Sequence, residues 1–217
     1  MTVRVLLADD HPIVRQGLRR LLESKAEFLV VAETGDGLEV MALTDRYRPD
    51  VVIVDLMMPG LNGLEVTRQI CQRADNTRVI VFSMHKDDDY IIQALRNGAI
   101  GYVIKDSGPV ELVGAIHEVM QGHRYLSPAI AERISEQIVN QPNEELKDPY
   151  DLLTNRERTV IQLVAEGYTG QEIADLLAIS RRTVEQHRAN IMRKLGFQNQ
   201  REIVRYAIRK GILSLDG

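Results

Sequence analysis

The 217-residue chain is 44% hydrophobic and 27% charged, a composition typical of a globular protein and, at this length, of two domains rather than one. Three features argue against a secreted or membrane protein: the chain has a single cysteine, no apolar run approaches the roughly 18 residues of a membrane span, and acids interrupt the N-terminus, so we expect a cytoplasmic location. The net charge of −4 combines an acidic part (13 basic and 18 acidic residues in 1–121) with a basic part (11 and 8 in 151–217), which favours a polyanion as partner of the second.

Five apolar strands alternate with five helices in residues 1–121. Runs of β-branched and other apolar residues predict the strands, and apolar positions at helical spacing predict the helices. This alternation predicts an α/β fold, a doubly wound, five-stranded parallel sheet of the flavodoxin-like kind with right-handed crossovers. The strands cover about residues 3–8, 28–32, 51–54, 78–82 and 101–104, and the helices about 12–22, 38–47, 62–71, 87–97 and 109–121.

Residues 122–150 are expected to be a linker. Gly122 interrupts the helical pattern, and a short helix is expected from Ser127 and Pro128 to about Ile138. The polar run 140–145 has the composition of a domain boundary.

Residues 151–217 are predicted to form a small all-α domain with a helix-turn-helix unit. Thr154 and Glu157 have the spacing of a capping box at the start of a first helix, which stops before Gly167. A second helix over about 170–177, a two-residue turn and a third helix over about 181–195 make the helix-turn-helix unit. A fourth helix covers about 200–210.

The third helix has two unlike faces at 100° per residue. Val184, Ile191 and Leu195 share a face that is expected to be buried. The opposite face is expected to be exposed and suits a DNA major groove, because a small alanine lies between long polar side chains; an ordinary solvated helix face is the alternative. This face consists of Arg182, Glu185, Gln186, Ala189 and Arg193.

Polar side chains follow several strands of the predicted sheet. Asp9 and Asp10 follow the first strand, Asp55 the third, Ser83 the fourth and Lys105 the fifth. The carboxyl ends of parallel strands share one edge of a sheet, where α/β proteins bind their ligands. Three clustered carboxylates repel one another unless a cation is present, and Mg²⁺ is the simplest hard cation for oxygen ligands. Because a lysine and a hydroxyl suit an incoming phosphoryl group, the set predicts an aspartyl-phosphate site.

Residues 1–121 resemble the receiver domain of two-component response regulators. The matching motifs are Asp9-Asp10, Asp55 followed by Met57-Met58-Pro59-Gly60, Ser83, and Lys105 with Tyr102 three residues before it. The resemblance implies that Asp55 accepts a phosphoryl group from a phosphohistidine of a sensor histidine kinase. It also implies that Asp10, Asp55 and the carbonyl of Met57 bind Mg²⁺, with Asp9 acting through water, and that Ser83 and Lys105 hold phosphoryl oxygens.

The same resemblance implies a switch in which Ser83 moves toward the phosphoryl group and Tyr102 turns inward. One position departs from the family pattern, since Asp106 stands where many receivers have proline after the lysine. Whether the peptide bond after Lys105 is cis, as it often is in receivers, is therefore left open.

Residues 152–213 resemble a LuxR-type DNA-binding domain, and the order of the two domains is that of NarL/FixJ-type response regulators. The motifs are Leu153-Thr154-Asn155-Arg156-Glu157, Glu172-Ile173-Ala174, Thr183-Val184, His187-Arg188 and Arg193-Lys194-Leu195-Gly196. The resemblance implies base contacts by Glu185, Gln186 and Ala189. It implies phosphate contacts by Arg181, Arg182, Thr183, Arg188 and Lys194. Relatives often have lysine where Glu185 stands, so their base preference is not transferred.

The leading hypothesis is a transcription regulator that dimerises when phosphorylated, with double-stranded DNA and RNA polymerase as further partners. No enzymatic activity is expected beyond the receiver's own Mg²⁺-dependent phosphorylation and dephosphorylation. A phosphatase-like hydrolase is the first alternative, but it needs an acid two residues after the nucleophile, where Met57 stands. A DNA-binding or scaffold protein that is never phosphorylated is the second, and the intact acids with Ser83 and Lys105 argue against it.

The last helix is expected to supply the pairing surface of the DNA-binding domain. Its apolar residues Ile203, Tyr206, Ala207 and Ile208 are clustered, and the alternative is that they close that domain's own core.

Overall fold

The computed structural model describes residues 2–73, 76–131, 134 and 149–213. The chain divides into two compact units, Met1–Pro142 and Asn143–Gly217. The first unit extends past residue 121, the end of the predicted receiver domain, because Tyr125 and Leu126 pair with the sheet and Ile130 and Ile134 pack in one of its apolar layers. None of the helices in the described ranges is long and apolar enough to cross a membrane.

The first unit is a parallel sheet with helices on both faces. Its strands are β1 (Val3–Ala8), β2 (Phe28–Thr34), β3 (Val51–Val54), β4 (Arg78–Ser83), β5 (Gly101–Ile104) and β6 (Tyr125–Leu126). They lie in the order β2-β1-β3-β4-β5-β6, and every pair is parallel. The helices are α1 (Pro12–Glu23), α2 (Gly37–Tyr47), α3 (Gly63–Arg73), α4 (Asp88–Arg96) and α5 (Pro109–Met120).

The predicted α/β class is confirmed, but the predicted number of five strands is wrong because β6 adds a sixth. The strand has only two residues, which is too short for an apolar alternation to be visible in the sequence. Hydrogen bonds to β5 create it instead: the Tyr125 amide donates to the carbonyl of Ile100 at 3.0 Å, and the Ser127 amide to that of Tyr102 at 2.9 Å.

Alternate residues of each central strand enter different apolar layers. On β3, Val52 and Val54 pack with α2, α3 and α4, whereas Val51 and Ile53 pack with α1 and α5. All four residues of β3 are buried, as expected of a strand covered on both faces. Burial of each such side chain contributes about 1.5–3 kcal/mol.

The predicted linker helix is seen only at its start. Residues 128–131 are helical, and Ile130 and Ile134 are buried in the layer that contains α2, α3 and α4. Most of the remaining stretch to Ile138, and the polar run 140–145, lie outside the described residues.

The second unit is the predicted small all-α domain. A 3₁₀ turn (Pro149–Leu152) precedes α6 (Asn155–Ala165), α7 (Gly170–Leu176), α8 (Arg181–Leu195) and α9 (Gln200–Arg209). Complete capping boxes begin two of these helices, Thr154 with Glu157 on α6 and Thr169 with Glu172 on α7. Gly196 ends α8 in the left-handed conformation that favours glycine, with φ of 70°.

Candidate functional site

Asp55 is held at the carboxyl end of β3 by its backbone and by both carboxylate oxygens. Its amide donates to the carbonyl of Ala8 at 2.8 Å, which joins the ends of β3 and β1. Oδ1 accepts the amide of Leu56 at 2.7 Å, and Oδ2 lies 2.6 Å from the Nζ of Lys105. Helix α3 begins close behind, since a Cβ at Gly63 would lie 2.0 Å from the Asp55 carbonyl oxygen. Only glycine permits this approach.

Lys105 bridges two carboxylates that come from different strands. Its Nζ lies 2.6 Å from Oδ2 of Asp9 as well as 2.6 Å from Oδ2 of Asp55, and only 9% of its side chain is exposed. Burial alone would lower the pKa of Lys105, but the two carboxylates outweigh burial and raise that pKa, so the ammonium stays charged at neutral pH. Burial raises the pKa of the Asp9 carboxyl above its ordinary value, although Lys105 and the His11 amide act in the opposite direction.

The acids at this edge form a group that fits one cation. A ligand atom from each of Asp9, Asp10, His11 and Asp55 lies within 4.8 Å of the others. Asp10 is exposed, and its Oδ1 lies 2.5 Å from the Nδ1 of His11. Three carboxylates around one point suit Mg²⁺, which prefers oxygen ligands. Met57, the fourth ligand implied by the resemblance, lies two residues after Asp55 in the loop that follows β3.

Ser83 and Tyr102 are joined through the backbone of His85. Ser83 ends β4 and is fully buried, and its Oγ accepts the His85 amide at 3.4 Å. The fully buried Tyr102 donates its hydroxyl to the His85 carbonyl at 2.8 Å. Burial holds the pKa of the Tyr102 phenol well above its usual range, so the hydroxyl keeps its proton. The ring thus lies inward in this structure, whereas the predicted switch turns it inward on phosphorylation.

The residue after the lysine lies outside this cluster. Asp106 pairs with Lys86 at 2.7 Å on the surface. No cis peptide bond occurs in the described ranges, so the Lys105–Asp106 bond is trans.

Helix α8 has the two faces that its periodicity predicts. Val184 and Ile191 are buried in the domain core, and Leu195 is partly buried. All residues of the face predicted to be exposed are exposed. Arg181 and Thr183 in the first turn are exposed as well. These exposed residues are Arg181, Arg182, Thr183, Glu185, Gln186, Ala189 and Arg193.

Arg188 and Lys194 of α8 bind backbone carbonyls of their own domain. The guanidinium of Arg188 donates to the Tyr168 carbonyl at 3.3 Å and lies 3.4 Å from Oε1 of Glu185. The Nζ of Lys194 lies 2.6 Å from Oε2 of the buried Glu157 and donates to the Leu152 carbonyl at 3.0 Å. A phosphate contact by Lys194 would have to compete with these two acceptors. No sequence pattern indicates these acceptors, because they lie 37 and 42 residues away in the chain.

The last helix does not present the pairing surface as predicted. Ile203, Tyr206 and Ala207 are buried in the core of their own domain, so the alternative holds for these three residues. Ile208 and its neighbour Val204 remain partly exposed.

Both parts of the chain match known families. Residues 5–117 match the model of the response regulator receiver domain. Residues 151–207 match the model of bacterial regulatory proteins of the luxR family. The matches cover the strand-end cluster and the helix-turn-helix unit.

Several known proteins are similar to this chain, some of them over nearly its whole length. The oxygen regulatory protein NreC of Staphylococcus carnosus (strain TM300) is 34% identical over 215 residues, which cover 97% of this chain and 99% of NreC. A two-component response regulator of the LuxR family from Aurantimonas sp. SI85-9A1 is 45% identical with a TM-score of 0.61, over 64% of this chain and 99% of that one. RcsB of Salmonella enterica serovar Typhimurium, solved bound to a promoter, is 28% identical with a TM-score of 0.61, over 98% of this chain and all of that one. The chain therefore belongs to the two-component response regulators that join a receiver domain to a LuxR-type DNA-binding domain.

Proposed function

We propose that a sensor histidine kinase phosphorylates Asp55 and that this controls dimerisation and sequence-specific DNA binding, and thereby transcription. The observation that carries the proposal is the buried Lys105 ammonium, 2.6 Å from both Asp9 and Asp55 at the open edge of the sheet. Sedimentation velocity with and without beryllofluoride, a mimic of the phosphoryl group, tests it. A shift from monomer to dimer is expected only with the mimic.

The chemistry is a phosphoryl transfer onto Asp55. A carboxylate oxygen attacks the phosphorus of a phosphohistidine, the P–N bond breaks, and the imidazole nitrogen keeps the electron pair. The Asp55 carboxylate loses its negative charge when its oxygen forms the new P–O bond. Lys105 can then turn its ammonium to the phosphoryl oxygens and offset their charge. Mg²⁺ held by Asp10, Asp55 and the Met57 carbonyl, with Asp9 through water, would further neutralise these oxygens.

The switch would use the backbone of His85. Ser83 accepts the His85 amide through Oγ, so its hydroxyl proton can be donated to a phosphoryl oxygen. Movement of Ser83 would draw along the loop whose His85 carbonyl accepts the Tyr102 hydroxyl. Asp55, Ser83 and the ring of Tyr102 would thus move as one unit.

The receiver unit has a surface beside Asp55 on which the kinase could dock. A groove of about 440 Å³ next to Lys105 is lined by apolar groups of Val14, Leu18, Phe82, Met84 and Pro109. Two large apolar side chains in the first turns of α1 and α5 are also exposed, Ile13 by 86% and Val110 by 77%. Exposed apolar patches of this kind mark protein interaction sites.

Ile13→Glu is expected to slow phosphotransfer from the cognate kinase by roughly 30-fold, the equivalent of about 2 kcal/mol for a central interface residue. Labelling by a small phosphodonor should be unchanged, because Ile13 is exposed and contributes nothing to the acid cluster. The measurement compares the two rates. Leu29→Glu is the control, since Leu29 is also an exposed apolar residue but lies at the amino end of β2. Equal loss with both donors would contradict a docking role.

DNA binding is proposed for the exposed face of α8. The RcsB relative has been solved as two dimers bound to two parallel DNAs, over 95% of this chain with 26% identity and a TM-score of 0.58. By that likeness, Glu185, Gln186 and Ala189 would meet base edges, and Arg181, Arg182 and Thr183 would meet phosphates. Arg188 would reach a phosphate from the border of the buried face, and Arg193 would extend the basic surface.

Glu185→Ala is expected to change the preferred sequence, by about 1–3 kcal/mol at one base pair. Arg188→Ala is expected to weaken binding to all sequences and to reduce the salt slope by about one unit. Because these side chains lie 3.4 Å apart, the double variant should depart from the sum of the two effects. Competition binding to a randomised site library at two salt concentrations measures all three. An unchanged preference in Glu185→Ala together with a changed one in Arg188→Ala would mean that α8 is rotated on the DNA.

Pairing through α9 is proposed for the part of the helix that remains available. A surface groove of about 550 Å³ is lined by Phe197, Glu202, Arg205, Ile208 and Arg209. A symmetric dimer would read two half-sites and so double the sequence that is recognised. RNA polymerase as a partner and a cytoplasmic location follow from the proposed role in transcription.

A further inference from the structure

Ser127 hydrogen-bonds both β5 and α5. It follows β6 directly and is fully buried. Its amide donates to the Tyr102 carbonyl at 2.9 Å, and its hydroxyl accepts the Ile104 amide at 3.0 Å. The hydroxyl proton is donated to Oε1 of Glu111 in the first turn of α5. Both hydrogen-bonding functions of this hydroxyl are therefore used.

The hydroxyl replaces a carbonyl that β6 is too short to provide. Strand β6 ends at Leu126, opposite Tyr102, so its ladder does not reach Ile104. Ile104 is buried, and a buried amide must find an acceptor within the protein. Ser127 supplies that acceptor at the last residue before Lys105. Ser127 therefore completes the hydrogen bonding of the last residue of β5.

The same residue begins the chain that leads to the DNA-binding unit. The Ser127 carbonyl accepts the amides of Ile130 at 2.9 Å and Ala131 at 3.1 Å, which starts the helical stretch 128–131. A serine in this position usually caps its own helix with its hydroxyl. Here the hydroxyl points back to β5 instead. Ile130 is buried in the same apolar layer as Tyr102 and Ile104, which fixes the helical stretch against β5.

We propose that Ser127 is a positioning residue that ties the end of β5 to the helical stretch 128–131. Movement of β5 on phosphorylation would reach the DNA-binding unit through residues 127–131. The inference rests on the proposed function, because it needs DNA binding to respond to the phosphoryl group.

The test is the ratio of DNA affinities with and without beryllofluoride. For wild type a ratio of about 5–150 is expected, the usual range of coupling between two sites. Ser127→Ala should still accept the phosphoryl group from a small donor, because Asp55 and Lys105 are intact, but its ratio should fall toward one. Ser107→Ala is the matched control, since Ser107 lies in the exposed turn that directly follows β5, and it should keep the wild-type ratio.

A second pair of variants covers a failure of Ser127→Ala to fold. Glu111→Leu removes the acceptor of the Ser127 hydroxyl and should lower the ratio, whereas Glu111→Gln keeps an oxygen acceptor and should restore most of it. A wild-type ratio in both Ser127→Ala and Glu111→Leu would overturn the inference. So would equal weakening of DNA binding with and without beryllofluoride, because a merely structural residue acts on both states alike. A ratio of one in wild type itself would instead remove the proposed function.

Discussion

Asp55→Asn is expected to reduce Mg²⁺-dependent labelling by a small phosphodonor to background. Asparagine keeps the shape of the side chain and an oxygen that can accept the Leu56 amide, but its amide is not a nucleophile toward phosphorus. The fold should persist, which far-ultraviolet circular dichroism can check. Labelling is measured by gel mobility or mass spectrometry of the intact protein.

Asp106→Asn is the matched control for this experiment. Asp106 belongs to the same edge of the sheet, but it is exposed and pairs with Lys86. Its substitution should leave labelling unchanged. Full labelling of Asp55→Asn would place the acceptor at another carboxylate, with Asp10 the first candidate because it is the exposed acid of the cluster.

Glu157→Ala is expected to destabilise the DNA-binding unit by about 2–4 kcal/mol, since it removes a helix cap and one partner of a mostly buried ion pair. Oε2 of Glu157 accepts the Thr154 amide at 2.8 Å and lies 2.6 Å from the Nζ of Lys194. Urea unfolding of the full chain measures the loss. Glu172→Ala is the control, because Glu172 closes the same kind of capping box on α7 but is exposed and has no lysine partner among the described contacts. Its effect should be clearly smaller, and equal effects would contradict the importance of Lys194.

Glu157 should also make the stability of the DNA-binding unit depend on pH in the acid range. Burial would raise the pKa of Glu157, but its bonds to Lys194 and Thr154 outweigh burial and lower that pKa below its ordinary value of 4.5. The stability that it contributes is therefore present above pH 4.5 and is lost as the pH falls through the lower folded-state pKa. Glu157→Gln should flatten this part of the stability curve, whereas an unchanged curve would assign the acid sensitivity to other carboxylates.

The candidate site could be predicted because it follows from chain order alone. Parallel strands place their carboxyl ends together, so the strand order alone predicts that Asp9, Asp55 and Lys105 meet. The exposed and buried faces of α8 likewise follow from 100° per residue. Contacts between residues far apart in the chain leave no such pattern. The pair of Lys194 with Glu157, the two-residue β6 and the bonds of Ser127 to Tyr102, Ile104 and Glu111 all belong to this class.

Apolar clusters were harder to interpret than polar ones. Ile203, Tyr206 and Ala207 have the spacing of a packed face, but spacing does not tell whether the face packs on its own domain or on a partner. The structure places them in their own core. The pairing surface proposed for α9 is therefore smaller than the sequence suggested.

The most direct test of the account is the DNA affinity of wild type and Asp55→Asn, each measured with and without beryllofluoride in the presence of Mg²⁺. Wild type is expected to bind its site about 5–150-fold more tightly with the mimic, as a coupling of about 1–3 kcal/mol requires. Asp55→Asn is expected to bind with one affinity in both conditions, because it cannot form the acyl-beryllofluoride adduct. A gain of the wild-type size in Asp55→Asn, or no gain in wild type, would contradict control of DNA binding by phosphorylation at Asp55.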